Sequence, residues 1–160
     1  MPDTTYLDWP FFDDAHRELK RSLDAWTAAH AGALALHGED LDADCRALVK
    51  LLGEAGWLRY AVPAPYGGAF ERLDVRSLCM LRETLAYRSG LADFALAMQG
   101  LGAGPISLFG SDAQRRRWLP EVAAADESVQ GRELADEMGQ QVVELGPVAD
   151  PFDEGPVPPE

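Results

Sequence analysis

Residues 51–68 read LLGEAGWLRYAVPAPYGG, and residues 101–119 read LGAGPISLFGSDAQRRRWL. Between them these stretches decide the fold. In the first, an apolar helix is stopped by Gly56, a residue free to take the left-handed conformation that closes a helix C-terminus. Trp57 and Leu58 then form an apolar step, with Trp57 placed to fold back onto the last turn. Pro63 and Pro65 brace a turn that ends in Gly67-Gly68. In the second stretch, a glycine-loosened apolar helix end breaks at Gly110, and Ser111 opens a new helix. The Ser111 hydroxyl can accept from the amide of Gln114 while Gln114 reaches back, which makes a capping box.

Working outward, the body reads as helices. Phe12, Ala15, Leu19, Leu23, Trp26, His30 and Ala33 recur at gaps of three and four and predict one helix with one apolar stripe. Leu41, Cys45, Leu48, Leu52 and Ala55 repeat the pattern in a second helix. A third is predicted from Asp74, carrying Val75, Leu78, Leu81 and Leu85 inward. A fourth, LADFALAMQGL, is apolar on nearly every face and is expected to be the most buried. The fifth starts at Ser111. No stretch alternates with the strand period, and there is no internal repeat. The expected fold class is all-α, a body of five or six helices over residues 1–124, followed by an acidic, proline-rich tail over 125–160.

Charge supports that division. Residues 123–160 hold ten acids and one base, a net of −9, whereas residues 1–122 hold 17 acids and 13 bases, a net of −4. The last fourteen residues contain five prolines. Such a segment buries too little apolar surface to offset its chain entropy, so the tail is expected to be disordered, with an unstable helix over 127–145. A chain of net charge −13 disfavours nucleic acid, whose phosphates need cationic neutralisation, and anionic membrane surfaces. No apolar run approaches the roughly 20 residues that span a bilayer. The N-terminus lacks the basic flank and apolar core of a signal peptide. Cys45 and Cys79 fall on separate predicted helices, which points to reduced thiols and a cytoplasmic location.

Catalytic constellations are scarce. His16, His30 and His37 lack metal-ligand spacing, and no metal site is expected. There is no glycine-rich phosphate loop and no G-x-S-x-G elbow. Glu83 reads as a surface or interhelical ion-pair partner rather than a pocket acid. Asp93, between Ala92 and Phe94, reads as a helix-surface acid. Arg115, Arg116 and Arg117 read as a solvated helix face rather than a phosphate contact. No residue of this chain is assigned a catalytic role.

Order and spacing together carry more than any single piece. The segments Leu51-Leu52-Gly53-Glu54-Ala55-Gly56-Trp57, Val62-Pro63-Ala64-Pro65-Tyr66-Gly67-Gly68, Glu83-Thr84-Leu85-Ala86-Tyr87, Gly104-Pro105-Ile106 and Phe109 through Pro120 follow one another over more than a hundred residues. In this they resemble the N-terminal helical domain of the acyl-CoA dehydrogenase family. The resemblance implies a three-part flavoenzyme with a small β-domain and a second helical domain beyond this one. In it a carboxylate takes the α-proton of an acyl thioester while the β-hydride passes to FAD. It places the catalytic base, and much of the grip on FAD, in those later parts. By position it also makes Phe94, Ala97, Met98 and Leu101 the candidates to line the acyl pocket.

Where the family continues with a segment resembling T-E-P-x-x-G-S-D, this chain reads Ala125-Asp126-Glu127-Ser128-Val129-Gln130-Gly131-Arg132. A truncated or frameshifted reading frame and a natural short paralogue both fit that departure. The chain alone is therefore expected to be inactive and not to hold FAD tightly, and to self-associate or to need a partner that supplies the missing domains. The alternative expectation is a non-enzymatic, acidic helical module that binds a protein partner.

Overall fold

Short polar side chains set where the helices begin. The computed structural model describes residues 3–35 and 38–125. Within these, Asp13 accepts from the His16 amide and opens α1 (Asp14–Ala29), and the short α2 (Ala31–Leu34) follows. Asp40 accepts from Ala43 and opens α3 (Leu41–Glu54), and Asp74 accepts from Ser77 and opens α4 (Val75–Arg88). Ser89 caps α5 (Gly90–Phe109) through Ala92, and Ser111 caps α6 (Asp112–Ala124) in the expected capping box with Gln114. Each cap satisfies an amide that has no partner within its own helix and is worth about 1 kcal/mol. Three short 3-10 turns, Thr5–Asp8, Trp57–Ala61 and Ala64–Tyr66, complete the order of elements. The described residues contain no named strand, only an isolated bridge between Pro63 and Phe70. The all-α expectation holds.

The connection from α3 to α4 behaves as its glycines and prolines require. Gly56 adopts φ +79, and its amide donates to the Gly53 carbonyl at 2.8 Å, which ends α3 and turns Trp57 inward. At Gly68 the reason is space. A Cβ there would lie 1.6 Å from the Val62 carbonyl oxygen, because the chain doubles back tightly enough for the Gly68 amide to reach Pro63 O at 3.1 Å. The same turn is closed by Ala64 N donating to Phe70 O at 2.7 Å and by Arg59 Nε donating to Gly67 O at 2.9 Å.

The core is a leucine cluster. Leu19 and Leu23 of α1, Leu48 and Leu52 of α3, and Met80, Leu81 and Leu85 of α4 meet Ala92, Ala95 and Leu96 of α5 around Trp57 and Leu58. Helix α4 packs on both α1 and α5, and α5 also packs on α3 and α6. Alanines on the inward side of α5 let its backbone approach closely.

Several side chains point otherwise than expected. The first helix does not run unbroken to Ala33, because it ends at Ala29 with His30 between α1 and α2. Its inward face is not purely apolar: Ala15 and Ala33 are exposed, while His16, Lys20 and Thr27 are buried with Leu19 and Leu23. Leu41 and Val75 each occupy the first position of a helix, where the side chain has no neighbouring turn to lie on, and both are exposed. Helix α5 is not the most enclosed element, because one whole side of it faces solvent. The expected acidic tail lies, beyond Ala125, outside the described residues.

Candidate functional site

Helix α5 has two apolar faces and only one of them is covered. Ala92, Ala95, Leu96, Ala103 and Ile106 face the core. On the opposite side Phe94, Met98, Leu101 and Leu108 recur at gaps of four, three and seven, with Pro105 on the same stripe. Exposure runs from 46% at Met98 to 66% at Leu101 and 85% at neighbouring Phe109. Contiguous apolar patches beyond a few hundred Å² are unusual on the free surface of a soluble domain and mark interaction or ligand sites. The four residues singled out by resemblance fall on this face together: Phe94, Met98 and Leu101 are exposed and Ala97 is half-buried beside them.

The two ends of the stripe are held by charge. At the N-terminal end, Arg82 of α4 donates from Nε to Asp93 Oδ1 and from a terminal nitrogen to Oδ2, both at 2.9 Å. The Asp93 side chain is only 16% exposed, so it is not the free surface acid expected; the fork from Arg82 covers it. The Asp93 carboxylate in turn pushes the Arg82 guanidinium above its ordinary range. At the C-terminal end, Arg115 is not simply solvated. It reaches back from α6 to the carbonyls of Ile106 and Leu108, each at 3.4 Å, and offsets the negative end of the α5 dipole. Arg116 and Arg117 are exposed as expected, with Arg117 lying over the Trp118 ring at 4.4 Å.

A second feature escaped the sequence. The ring of His16 is 4% exposed, with Nδ1 2.7 Å from Asp13 Oδ1 and Nε2 2.8 Å from Asp74 Oδ2. It thereby ties the N-caps of α1 and α4 together. Asp74 also accepts from Ser77 Oγ at 2.7 Å and Arg76 Nε at 3.0 Å. Burial works to raise the Asp74 carboxyl, but the hydrogen bonds from Ser77, Arg76 and His16 outweigh it and hold the group well below the usual carboxylate range. One turn further along α1, buried Lys20 pairs with Asp24. A narrow cleft there is lined by Lys20, Asp24, Glu83, Thr84, Tyr87 and Arg88. Glu83 is exposed and accepts from the Tyr6 hydroxyl at 2.8 Å. Burial, with that acceptor, pushes the Tyr6 phenol well above its usual range. The Asp13–His16 and Lys20–Asp24 pairs are local, three and four residues apart, but spacing does not signal the links that join the elements, because Asp74 lies 58 residues from His16 and Tyr6 lies 77 from Glu83.

The described residues include no group of three or more His, Cys, Asp or Glu placed to hold a metal ion, and both cysteines are free thiols. The buried polar atoms with no hydrogen-bond partner are Trp57 Nε1, Thr84 Oγ1 and Ser107 Oγ, on three separate elements. The cleft that holds Thr84 contains neither of the others.

Comparison with known proteins identifies the family. The family described as the acyl-CoA dehydrogenase N-terminal domain matches residues 13–126, well over half of the chain. The chain belongs to that family. It is 34% identical over 79 residues to a probable acyl-CoA dehydrogenase of Bacillus subtilis, an alignment covering 49% of this chain and 13% of that protein. It is 24% identical over 123 residues to the acyl-CoA dehydrogenase FadE12 of Mycobacterium tuberculosis, covering 77% of this chain and 30% of the relative. A second Bacillus subtilis acyl-CoA dehydrogenase matches at 30% over 80 residues, 49% of this chain and 21% of that protein. The chain thus spans less than a third of the curated relatives it matches.

Proposed function

We propose that this chain is the front helical part of an acyl-CoA dehydrogenase-like flavoenzyme, and that the outward face of α5 is one wall of its acyl pocket. Phe94, Ala97, Met98 and Leu101 supply that wall. The observation that carries the reading is the uncovered apolar stripe: a helix packed on one side and dry on the other suits a hydrocarbon chain laid along it. Burying methylenes against such a surface yields up to about 0.8 kcal/mol each. The Arg82–Asp93 pair closes one end of the stripe with charge.

The reaction class, α,β-dehydrogenation of an acyl thioester, is the family's. FAD, when bound, supplies the hydride acceptor. The orphaned donors of this domain are scattered, so its residues do not fit a flavin by themselves, and no step is assigned to them. A base must lie within hydrogen-bond reach of the α-proton. Asp93, the one acid on α5, is committed to Arg82 at the end of the stripe. The chain alone is inactive on this reading, and parts supplied in addition to it hold the flavin and the base. The cytoplasm is the compartment proposed.

Two measurements test this. Purified chain incubated with FAD, acyl-CoA thioesters and an artificial electron acceptor is expected to show no turnover and to lose flavin on gel filtration. Calorimetric titration with thioesters of increasing chain length is expected to show affinity rising with length, and Met98→Asp is expected to abolish the rise. Affinity indifferent to chain length would remove the acyl-wall reading. A second reading, a non-enzymatic helical interaction module, predicts no turnover even in mixtures that supply the flavin- and base-bearing parts, whereas the first predicts turnover there.

A further inference from the structure

We infer that the cleft between α1 and α4 is a binding site for a small zwitterion of the α-amino-acid class, separate from the outward face of α5. Its floor is polar and buried. Lys20 and Thr84 are 3% and 5% exposed and line the cleft together. The Thr84 hydroxyl has no hydrogen-bond partner among the described residues. Lys20 carries three N–H donors, and among the described residues Asp24 takes one of them. A buried hydroxyl and a buried ammonium with donors to spare both call for an acceptor, because a buried polar group left unmet costs more than a made bond returns.

The rim decides what kind of ligand supplies it. Arg88 is the exposed last residue of α4, lies 6.0 Å from the centre of the Tyr87 ring and pairs with no carboxylate of the described residues. With Lys20 and Thr84 it offers three donor groups to a carboxylate, a guanidinium fork among them. Asp24 and Glu83 hold the other end. Both bear on Tyr6, whose hydroxyl donates to Glu83 at 2.8 Å and whose phenol is raised by burial first and then by these two carboxylates. Asp24 gives one oxygen to Lys20 and Glu83 gives one to Tyr6, so each has a second to offer an ammonium. Two cations and two carboxylates line the cleft, and their charges cancel. A bare anion gains from Arg88 and Lys20 what it loses to Asp24 and Glu83, and a bare cation meets the reverse. A molecule with a carboxylate and an ammonium close together gains at both ends. Size sets the upper limit. The space is about 250 Å³ including the part open to solvent, below the roughly 300–1,000 Å³ of sites for drug-sized ligands and enough for a molecule such as glycine.

This inference is independent of the acyl-wall reading, because none of these residues belongs to α5 and either can fail alone. The experiment is a titration of the isotope-labelled full chain followed by amide NMR shifts, at constant pH and ionic strength. The three probes are glycine, acetate and methylammonium. Glycine is expected to give saturable shifts at residues 20–24 and 83–88 with millimolar affinity. Acetate and methylammonium, each lacking one charged end, are expected to bind at least about 10-fold more weakly. Thr84→Val keeps the shape and removes the hydroxyl, and is expected to weaken glycine about 5-fold. Arg88→Gln removes the fork and is expected to weaken it about 10-fold. Arg88 is exposed, so this variant tests the site whatever Thr84→Val does to packing. Arg116→Gln removes the same charge from an exposed position on α6 and is expected to leave glycine affinity unchanged. Circular dichroism checks that each variant keeps its helices. Shifts that never saturate, as when water alone meets the Thr84 hydroxyl, overturn the proposal. So does acetate or methylammonium binding as well as glycine, a glycine affinity indifferent to Arg88→Gln, or one lost on Arg116→Gln.

Discussion

The α1–α4 junction and the outward face of α5 are opposites. At the junction, His16, Lys20, Ser77 and Thr84 are buried. On α5, Phe94, Met98 and Leu101 stand in solvent. Residue type alone sorts neither region. At the junction each ionisable group meets a counter-charge within hydrogen-bond reach, which makes burial tolerable where an isolated charge would be expelled. On α5 the inward side is already filled by alanines and leucines, and the second apolar side has no element of the described body left to cover it. The difference teaches that the burial of ionisable groups here follows the partners available, the buried Thr84 hydroxyl having none, and that the apolar side left uncovered is the place to look for function.

The largest expected effect tests the two faces of apolar surface against each other. Leu85 is fully buried among Leu81, Met80 and Leu96, and Leu85→Ala is expected to cost about 2–5 kcal/mol through lost transfer energy and the cavity left behind. Leu101→Ala removes the same atoms from the solvent face and is expected to change stability by no more than about 0.5 kcal/mol. Urea denaturation of the two variants at low protein concentration measures both. Equal costs would mean that α5 is covered after all.

The junction comes next. His16→Ala leaves Asp74 with one fewer donor in a half-buried site and removes the ring that joins the two caps. About 2–3 kcal/mol of destabilisation is expected by denaturant titration. A loss below about 0.5 kcal/mol would show that the two helix starts hold without the imidazole, and the contrast between the regions would lose its polar side.

How far the sequence disclosed these regions depends on how local the signals are. The Ser111–Gln114 capping box, the left-handed Gly56 and the start of α4 after Asp74 are all legible, because each is fixed by residues within four positions of one another. The two-sided character of α5 is not. A helix apolar all round has no preferred side in its own pattern, so which stripe is inward is decided by α3, α4 and α6. That is why Phe94, Met98 and Leu101 share the outward face, and why the same helix is less enclosed than its composition suggests. The bridge from His16 to Asp74 is invisible for the complementary reason: its partners are close only once α1 and α4 have packed. Asp93 and Arg115 read as surface residues until Arg82 and the end of α5 are beside them.

The smallest expected effect isolates the charge at the junction. Asp74 has its folded-state carboxyl held below the value of the unfolded chain, where an aspartate sits near about 3.9. A depressed carboxyl favours the folded state when ionised. Its contribution is therefore complete above about pH 5 and is lost as pH falls through the unfolded value towards the folded one. Other carboxylates titrate in the same window, so the wild-type acid limb alone does not assign the effect. Asp74→Asn does. The amide keeps an oxygen to accept from Ser77 N and so preserves much of the cap, but it carries no charge for His16 and Arg76. It is expected to cost about 1 kcal/mol at neutral pH. As pH falls below about 4, the unfolded chain's Asp74 takes up a proton while the folded protein's stays ionised, so the wild-type advantage shrinks and the gap between the two proteins is expected to narrow progressively. Urea denaturation of both proteins across this range measures the gap directly. A gap that stays constant would mean that the Asp74 charge contributes nothing and that the junction is held by shape and neutral hydrogen bonds alone.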